Sequence, residues 1–256
     1  MIKFFRKIRK KFLEQGKTSK YLSYALGEII LVVIGILIAL QINNWNENRK
    51  NQNKIVGYLY NLTDDLSTDI KEFNQNIWYY ERDIRKSEYV LSSDDYKKLK
   101  VDSILKLTTN IYNIDKTTRQ TYEKIKNEGL IESLGSERIN KAINNYYNLD
   151  ISYYQNILNW DKEFTNKSYD FWFFNKAYEA SAVRNNETNA LPFLTPEENR
   201  KTDLISLIES IEGRNHIRGG LDRRKHLLKR VKETKKAAED LIRMIQLELD
   251  KNDKIL

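Results

Sequence analysis

The chain has 256 residues, 44 Lys and Arg against 36 Asp and Glu, a net charge of +8 and no cysteine. Thiol catalysis, disulfide exchange and Cys-based zinc or iron–sulfur sites are therefore excluded, and with only His216 and His226 a His-rich metal site is excluded too. Two prolines and nine glycines leave few breaks, so the composition predicts long helices and an all-α fold.

Residues 1–20 form a basic tail, with Lys3, Arg6, Lys7, Arg9, Lys10, Lys11, Lys17 and Lys20 against Glu14 alone. Ile2, Phe5, Ile8 and Phe12 recur near helical spacing within it. That pattern suits a short helix on an anionic membrane surface, or a tail whose charges only set topology. Residues 21–43 are predicted as a transmembrane helix, because the run from Leu22 to Ile42 holds one charged residue, Glu28. About 20 apolar residues at 1.5 Å rise span the roughly 30 Å hydrocarbon core. The run is too long for a signal-peptide core and ends without a small-x-small cleavage pair, which favours an uncleaved anchor.

Lys and Arg mark the cytoplasmic side, so the N-terminus is expected in the cytoplasm and residues 44–256 outside, in the periplasm of a Gram-negative bacterium. Tyr21 and Tyr24 on one side and Trp45 on the other stand where interfacial rings anchor a span. Gly35 and Ala39 fall within about 20° of Glu28 on the helical wheel. This small-xxx-small face next to a carboxylate suits self-association; the competing readings are a Glu28 that snorkels to the interface, and an ion or proton path. Residues 1–42 hold eight bases and two acids, so most of the basic excess belongs to topology, and nucleic acid is not expected as a partner.

Beyond the span, Ile55, Leu59, Leu62, Leu66, Ile70, Phe73, Ile77, Tyr80 and Ile84 step by threes and fours, so the membrane helix is expected to run on as an amphipathic stalk to about Leu91. Helices are then predicted over 95–112 and 115–128, the second ended by Gly129. Another starts at Ser136 and runs to Trp160 or beyond. Asn185–Leu194 reads as a loop, and Thr195-Pro196-Glu197-Glu198 as a capping box opening a helix that ends near Gly213. Gly219-Gly220 is expected to turn the chain into a last helix, Leu221 to about Lys251. Its heptad seam is Leu228, Val231, Lys235, Ala238, Ile242, Ile245 and Leu249. The simplest packing returns this helix antiparallel along the stalk; the alternative is a seam that pairs between copies.

The stretch Gly27-Glu28-Ile29-Ile30-Leu31-Val32-Val33-Ile34-Gly35-Ile36-Leu37-Ile38-Ala39-Leu40-Gln41-Ile42-Asn43-Asn44-Trp45-Asn46-Glu47 closely resembles an uncharacterised bacterial family of single-pass inner-membrane proteins, a domain of unknown function. A second similar stretch is Tyr122-Glu123-Lys124-Ile125-Lys126 with Gly129-Leu130-Ile131, followed by Tyr146-Tyr147. The resemblance covers the N-terminal half well and the C-terminal half loosely. It implies a bacterial inner-membrane protein and no particular activity.

Two further groups suggest a partner or ligand surface. In Phe171-Trp172-Phe173-Phe174 the rings cannot all face one core, so one or two turn to a second surface or wedge at a helix bend. The stretch 214–236, with Arg223, Arg224 and Arg230 among ten bases and two acids, reads as an anion-binding patch or a solvated face. No phosphate loop, nucleophile elbow or acid–base pair is recognisable. The expectation is a non-enzymatic, membrane-anchored interaction or scaffolding protein. It needs no cofactor, self-associates, and meets another membrane or envelope protein. The alternatives are a ligand-sensing bundle acting through a membrane partner and a pore subunit built on Glu28.

Overall fold

The computed structural model describes residues 18–174, 178–180 and 192–252, and among these the chain is helical with no strand. Residues 1–17, with the tail's helical pattern, the side chains of Tyr21 and Tyr24, and most of the 185–194 loop lie outside the described residues. Helix α1 spans Thr18–Ser92, and the chain divides into two compact units after Gly57. In the first unit, the apolar stretch of α1 has a mean hydropathy of 2.6 over its best window and none of it is buried. It is long and apolar enough to cross a membrane.

In the second unit α1 continues to Ser92, where Ser93 and Asp95 end it as expected: the Asp95 N–H donates to Ser93 Oγ at 3.0 Å. The predicted helix over 95–112 is instead a 3₁₀ turn, Asp95–Lys98, and a short α2, Val101–Thr108. Residues 109–119 then run without regular structure to α3, Gln120–Asn127. Gly129 ends α3 with φ +69°, and the Leu130 N–H reaches back to the Ile125 carbonyl at 3.1 Å, a glycine C-cap. Helix α4, Glu137–Asn145, passes through a π turn, Tyr146–Asp150, into α5, Ile151–Phe173. The wider turn carries both Tyr146 and Tyr147 into the core, where Tyr147 stacks on Tyr122 with ring centroids 4.4 Å apart.

Helix α6, Glu197–Glu209, starts just after Pro196, but no capping box forms. The Thr195 N–H donates to the Glu179 carboxylate at 2.9 Å rather than to Glu198. Helix α7, Ile211–Asn252, passes straight through Gly219-Gly220, which corrects the expected turn. The reversal sits instead at Ser210, whose extended backbone breaks α6 from α7 and leaves room only for glycine at 213. A Cβ on Gly213 would lie 2.0 Å from the Leu207 carbonyl oxygen, whereas one on Gly219 would meet nothing. The glycine pair stays helical because Ile217, Arg224 and Leu227 on either side are buried on one seam.

Three helices form the trunk. Lys225 pairs with Glu88 at 2.9 Å and Lys232 with Glu81 at 2.9 Å, so α7 runs antiparallel to the 58–92 part of α1. Helix α5 runs parallel to α1, since Asn76 bonds Tyr154 and Asp69 bonds Tyr146. Beyond Ser87, Trp172 anchors a second cluster with Val90, Tyr96, Leu105, Leu204 and Ile208. Both seams keep most of the expected positions and move by one residue at the others. On α7 Val231, Ala238, Ile245 and Leu249 are buried as expected, while Leu227, Thr234 and Leu241 take the places of Leu228, Lys235 and Ile242. On α1 Ile55, Leu59, Leu62, Leu66, Phe73, Tyr80 and Ile84 are buried as expected, but Asp69 and Asn76 are buried where Ile70 and Ile77 were expected, and Asp83 joins them.

The two glycines separate cleanly by experiment. Gly213→Ala should lower stability by about 1–3 kcal/mol, the usual cost of overpacking against fixed backbone. Gly219→Ala should raise it by about 0.5–1 kcal/mol through helix propensity. Thermal denaturation of the two variants beside the parent checks both signs.

Candidate functional site

The shift of the α1 seam creates the feature of the bundle with the most chemistry. Asp69, Asn76 and Asp83 recur every seven residues, about 10.5 Å along one face of α1, and all three are buried. Across from them on the π turn and α5, Tyr147, Tyr154 and Asp161 repeat at the same interval. The two rows form a polar column inside the trunk.

At the first level Asp69 accepts a 2.8 Å hydrogen bond from the Thr118 N–H and a 3.1 Å bond from Tyr146 Oη. No cation lies within ion-pair distance of it among the described residues. Burial pushes its carboxyl up to about 6, with Asp65 and Asp115 nearby adding to the effect and the two hydrogen bonds opposing it. Burial also pushes the Tyr146 hydroxyl far above its ordinary value, so it stays a donor. At the second level Asn76 Nδ2 donates to Tyr154 Oη at 2.9 Å. Tyr80 lies a helical turn further along α1, its hydroxyl pushed up to about 12 by burial.

The third level holds charge. Asp161 accepts from Arg223 Nε at 2.8 Å, Arg224 Nη1 at 2.6 Å and Thr165 Oγ1 at 3.2 Å. Arg224, fully buried, also lies 3.4 Å from Asp83 and donates through Nη2 to the Ile111 carbonyl at 2.8 Å. Asp83 takes Arg82 at 3.0 Å and Lys86 at 3.7 Å, and burial holds the Lys86 ammonium below its ordinary value. Two carboxylates thus meet four cations, and the cluster carries a positive excess. Burying an ion pair is tolerable only with this degree of hydrogen bonding.

The residues singled out from the sequence fall in three places. Arg223 and Arg224 are corrected from a surface patch to the bundle interior: Asp161 and Asp83 neutralise them there, so they offer no open anion site. Arg230 is half-turned to solvent, pairs with Asp150 at 3.4 Å and Glu233 at 3.4 Å, and covers the Tyr153 ring at 4.2 Å. Of the aromatic run, Trp172 is buried, Phe171 and Phe173 are half-buried, and Phe174 is 74% exposed. His216 stacks on Phe171 at 3.9 Å and His226 meets Trp160 edge-on at 6.1 Å, so both histidines serve as packing rings. On α1, Gly35 and Ala39 are exposed, nothing lies within 4 Å of a Cβ built on Gly35, and Glu28 is half-buried. Trp45 is exposed with Arg49 over its ring. Among the described residues no group of three or more His, Cys, Asp or Glu side chains is arranged to hold a metal ion.

The column yields two predictions. Asp161→Asn leaves two buried arginines short of a counter-charge and should cost about 3–5 kcal/mol in urea unfolding. For Asp69, both folded and unfolded chains are protonated below about pH 4. The unfolded chain ionises first as pH rises, so stability falls between about pH 4 and 6 and stays lower above, by about 3 kcal/mol. Asp69→Asn, whose Oδ1 still accepts from the Thr118 N–H while its Nδ2 donates to Tyr146 Oη, should flatten this dependence and make the variant the more stable form at pH 7.5. Urea midpoints at pH 4.5 and 7.5 decide it.

No curated protein matches the chain, and no solved structure matches it. A family model does match over residues 28–181, from Glu28 in the apolar stretch through α5, and its description is a family of unknown function, DUF6090. The match covers more than half of the chain and includes Asp69, Asn76, Asp83 and Asp161; the chain is a member of that family.

Proposed function

We propose that this protein is a membrane-anchored, non-enzymatic interaction protein of the bacterial cell envelope that self-associates, with its N-terminus in the cytoplasm and its helical bundle in the periplasm. The observation that carries the reading is the apolar stretch of α1, of which none is buried. A helix apolar on every side needs lipid or other apolar helices around it. The basic tail supplies the orientation, and the few Lys and Arg directly after the span are consistent with it. Self-association is supported by Gly35 and Ala39, an open small-residue face that lets a second helix approach closely. A bundle whose buried charges are neutralised internally, with Trp78 and Phe174 exposed, suits recognition by surface.

The reading predicts that the chain stays in the membrane fraction after alkaline carbonate washing, and that added protease removes the bundle from spheroplasts but not from intact cells. A bundle protected in spheroplasts contradicts the orientation. In mild detergent, light scattering should give a defined oligomer that Gly35→Leu disrupts; a monomer in both would end the self-association part.

A further inference from the structure

Residues 110–118 are the one long stretch of the described trunk without helical hydrogen bonding, and they lie along a groove. On one flank a cleft of about 310 Å³ is lined from α1 by Glu72, Asn76, Tyr79 and Arg82, and from the segment by Ile111 and Ile114. On the other flank a smaller cleft of about 230 Å³ separates Asn113 and Ile114 from Gln155 and Leu158 of α5. The backbone N–H groups from Asn110 to Lys116 make no hydrogen bond with any described residue; hydrogen bonding resumes at Thr117, to Asp115, and at Thr118, to Asp69. A run of main chain whose N–H groups are unpaired, with only the Ile111 carbonyl taken, beside a groove of ligand size is the arrangement that accepts an added strand.

The ends of the groove differ in charge. The segment runs antiparallel to α1: the Ile111 carbonyl meets Arg224 beside Asp83, and Lys116 meets Glu72 at 3.3 Å. Glu72 and Arg82 are about 15 Å apart along α1, the length of four to five extended residues. Asp83 also lines the Arg82 end and takes Arg82 at 3.0 Å, but that end belongs to the cluster in which two carboxylates meet four cations, so its excess is positive. A strand pairing antiparallel to 110–116 would bring its C-terminal end there. Exposed Ile111 and Ile114, three apart and so on opposite faces of an extended segment, put apolar surface on both sides of an added strand, with Tyr79 beside them.

From this juxtaposition we propose that the groove between α1 and residues 110–116 binds an extended peptide of four to five residues, antiparallel to the segment, with an acidic C-terminal end seated against Arg82. The inference rests on the reading of the bundle as an interaction domain, and names its partner as an extended, acid-ended protein segment.

The test uses the full-length chain in detergent and the pentapeptide acetyl-Lys-Val-Thr-Val-Glu with a free carboxylate, beside its Gln-amide counterpart and a version N-methylated at both valines. The readout is amide hydrogen exchange of residues 110–116. The free-acid peptide should slow that exchange at least tenfold at saturation. The Gln-amide should bind about tenfold more weakly and the N-methylated peptide not at all. Arg82→Gln should erase the preference for the free acid, and Ile114→Asp, at an exposed position, should weaken binding with the fold intact. Unchanged exchange with the free-acid peptide, or equal binding of the N-methylated one, overturns the proposal. If exchange is unchanged while the oligomer persists, the groove assignment alone falls; if the oligomer is absent too, the interaction reading falls with it.

Discussion

A carboxylate buried between helices has to be given donors, and this trunk is arranged around that requirement. Asp83 and Asp161 sit on different helices and share Arg224, which comes from a third. One guanidinium therefore ties α1, α5 and α7 together at a single height, and its remaining donor holds the Ile111 carbonyl of the irregular segment. The planar fork of arginine suits this task in a way lysine would not, because its donors point in several fixed directions at once. Arg223, Arg82 and Lys86 pair with the two carboxylates from the edges and leave the cluster with a positive excess.

The same requirement fixes register. Sliding α5 by one heptad against α1 would bring Asp161 opposite Asn76 and Tyr154 opposite Asp69, and would strand both Asp83 and Arg224. An all-apolar column would tolerate such slips more readily, since one buried aliphatic pair resembles the next. The cost appears at the other end of the column. Asp69 has only hydrogen-bond donors for partners, and burial raises its carboxyl to about 6. The trunk thus combines one level of densely paired charge with one level whose carboxyl keeps its proton up to about pH 6.

Features set by local chemistry were legible in the sequence. The apolar run, the end of α1 at Ser92, the glycine cap at Gly129 and the antiparallel return of the last helix all follow from residues close together in the chain. The polar column was not, because its partners come from far apart: Asp83 and Arg224 are separated by about 140 residues, and the aliphatic Ile70 and Ile77 stand next to Asp69 and Asn76 in the sequence. A seven-residue repeat of polar residues, 69-76-83 on one helix and 147-154-161 on another, was the available signal. Gly219-Gly220 misled for a related reason. Glycine pairs break helices when nothing else holds them, and here buried Ile217 and Leu227 hold the helix on both sides. Arg223 and Arg224 looked like surface charge for want of visible partners, which lie on α1 and α5.

In such a trunk the interior polar groups are committed to one another across three helices. Its stability as one unit depends on Arg224 being coupled to both carboxylates, and a double-mutant cycle of Asp161→Asn with Arg224→Gln measures that coupling in urea. The single losses should each be large, and the double variant should recover more than about 1 kcal/mol relative to their sum, as expected for groups in direct contact. Additive losses would mean that the two residues stabilise the fold independently and that the shared guanidinium does not hold the three helices in register.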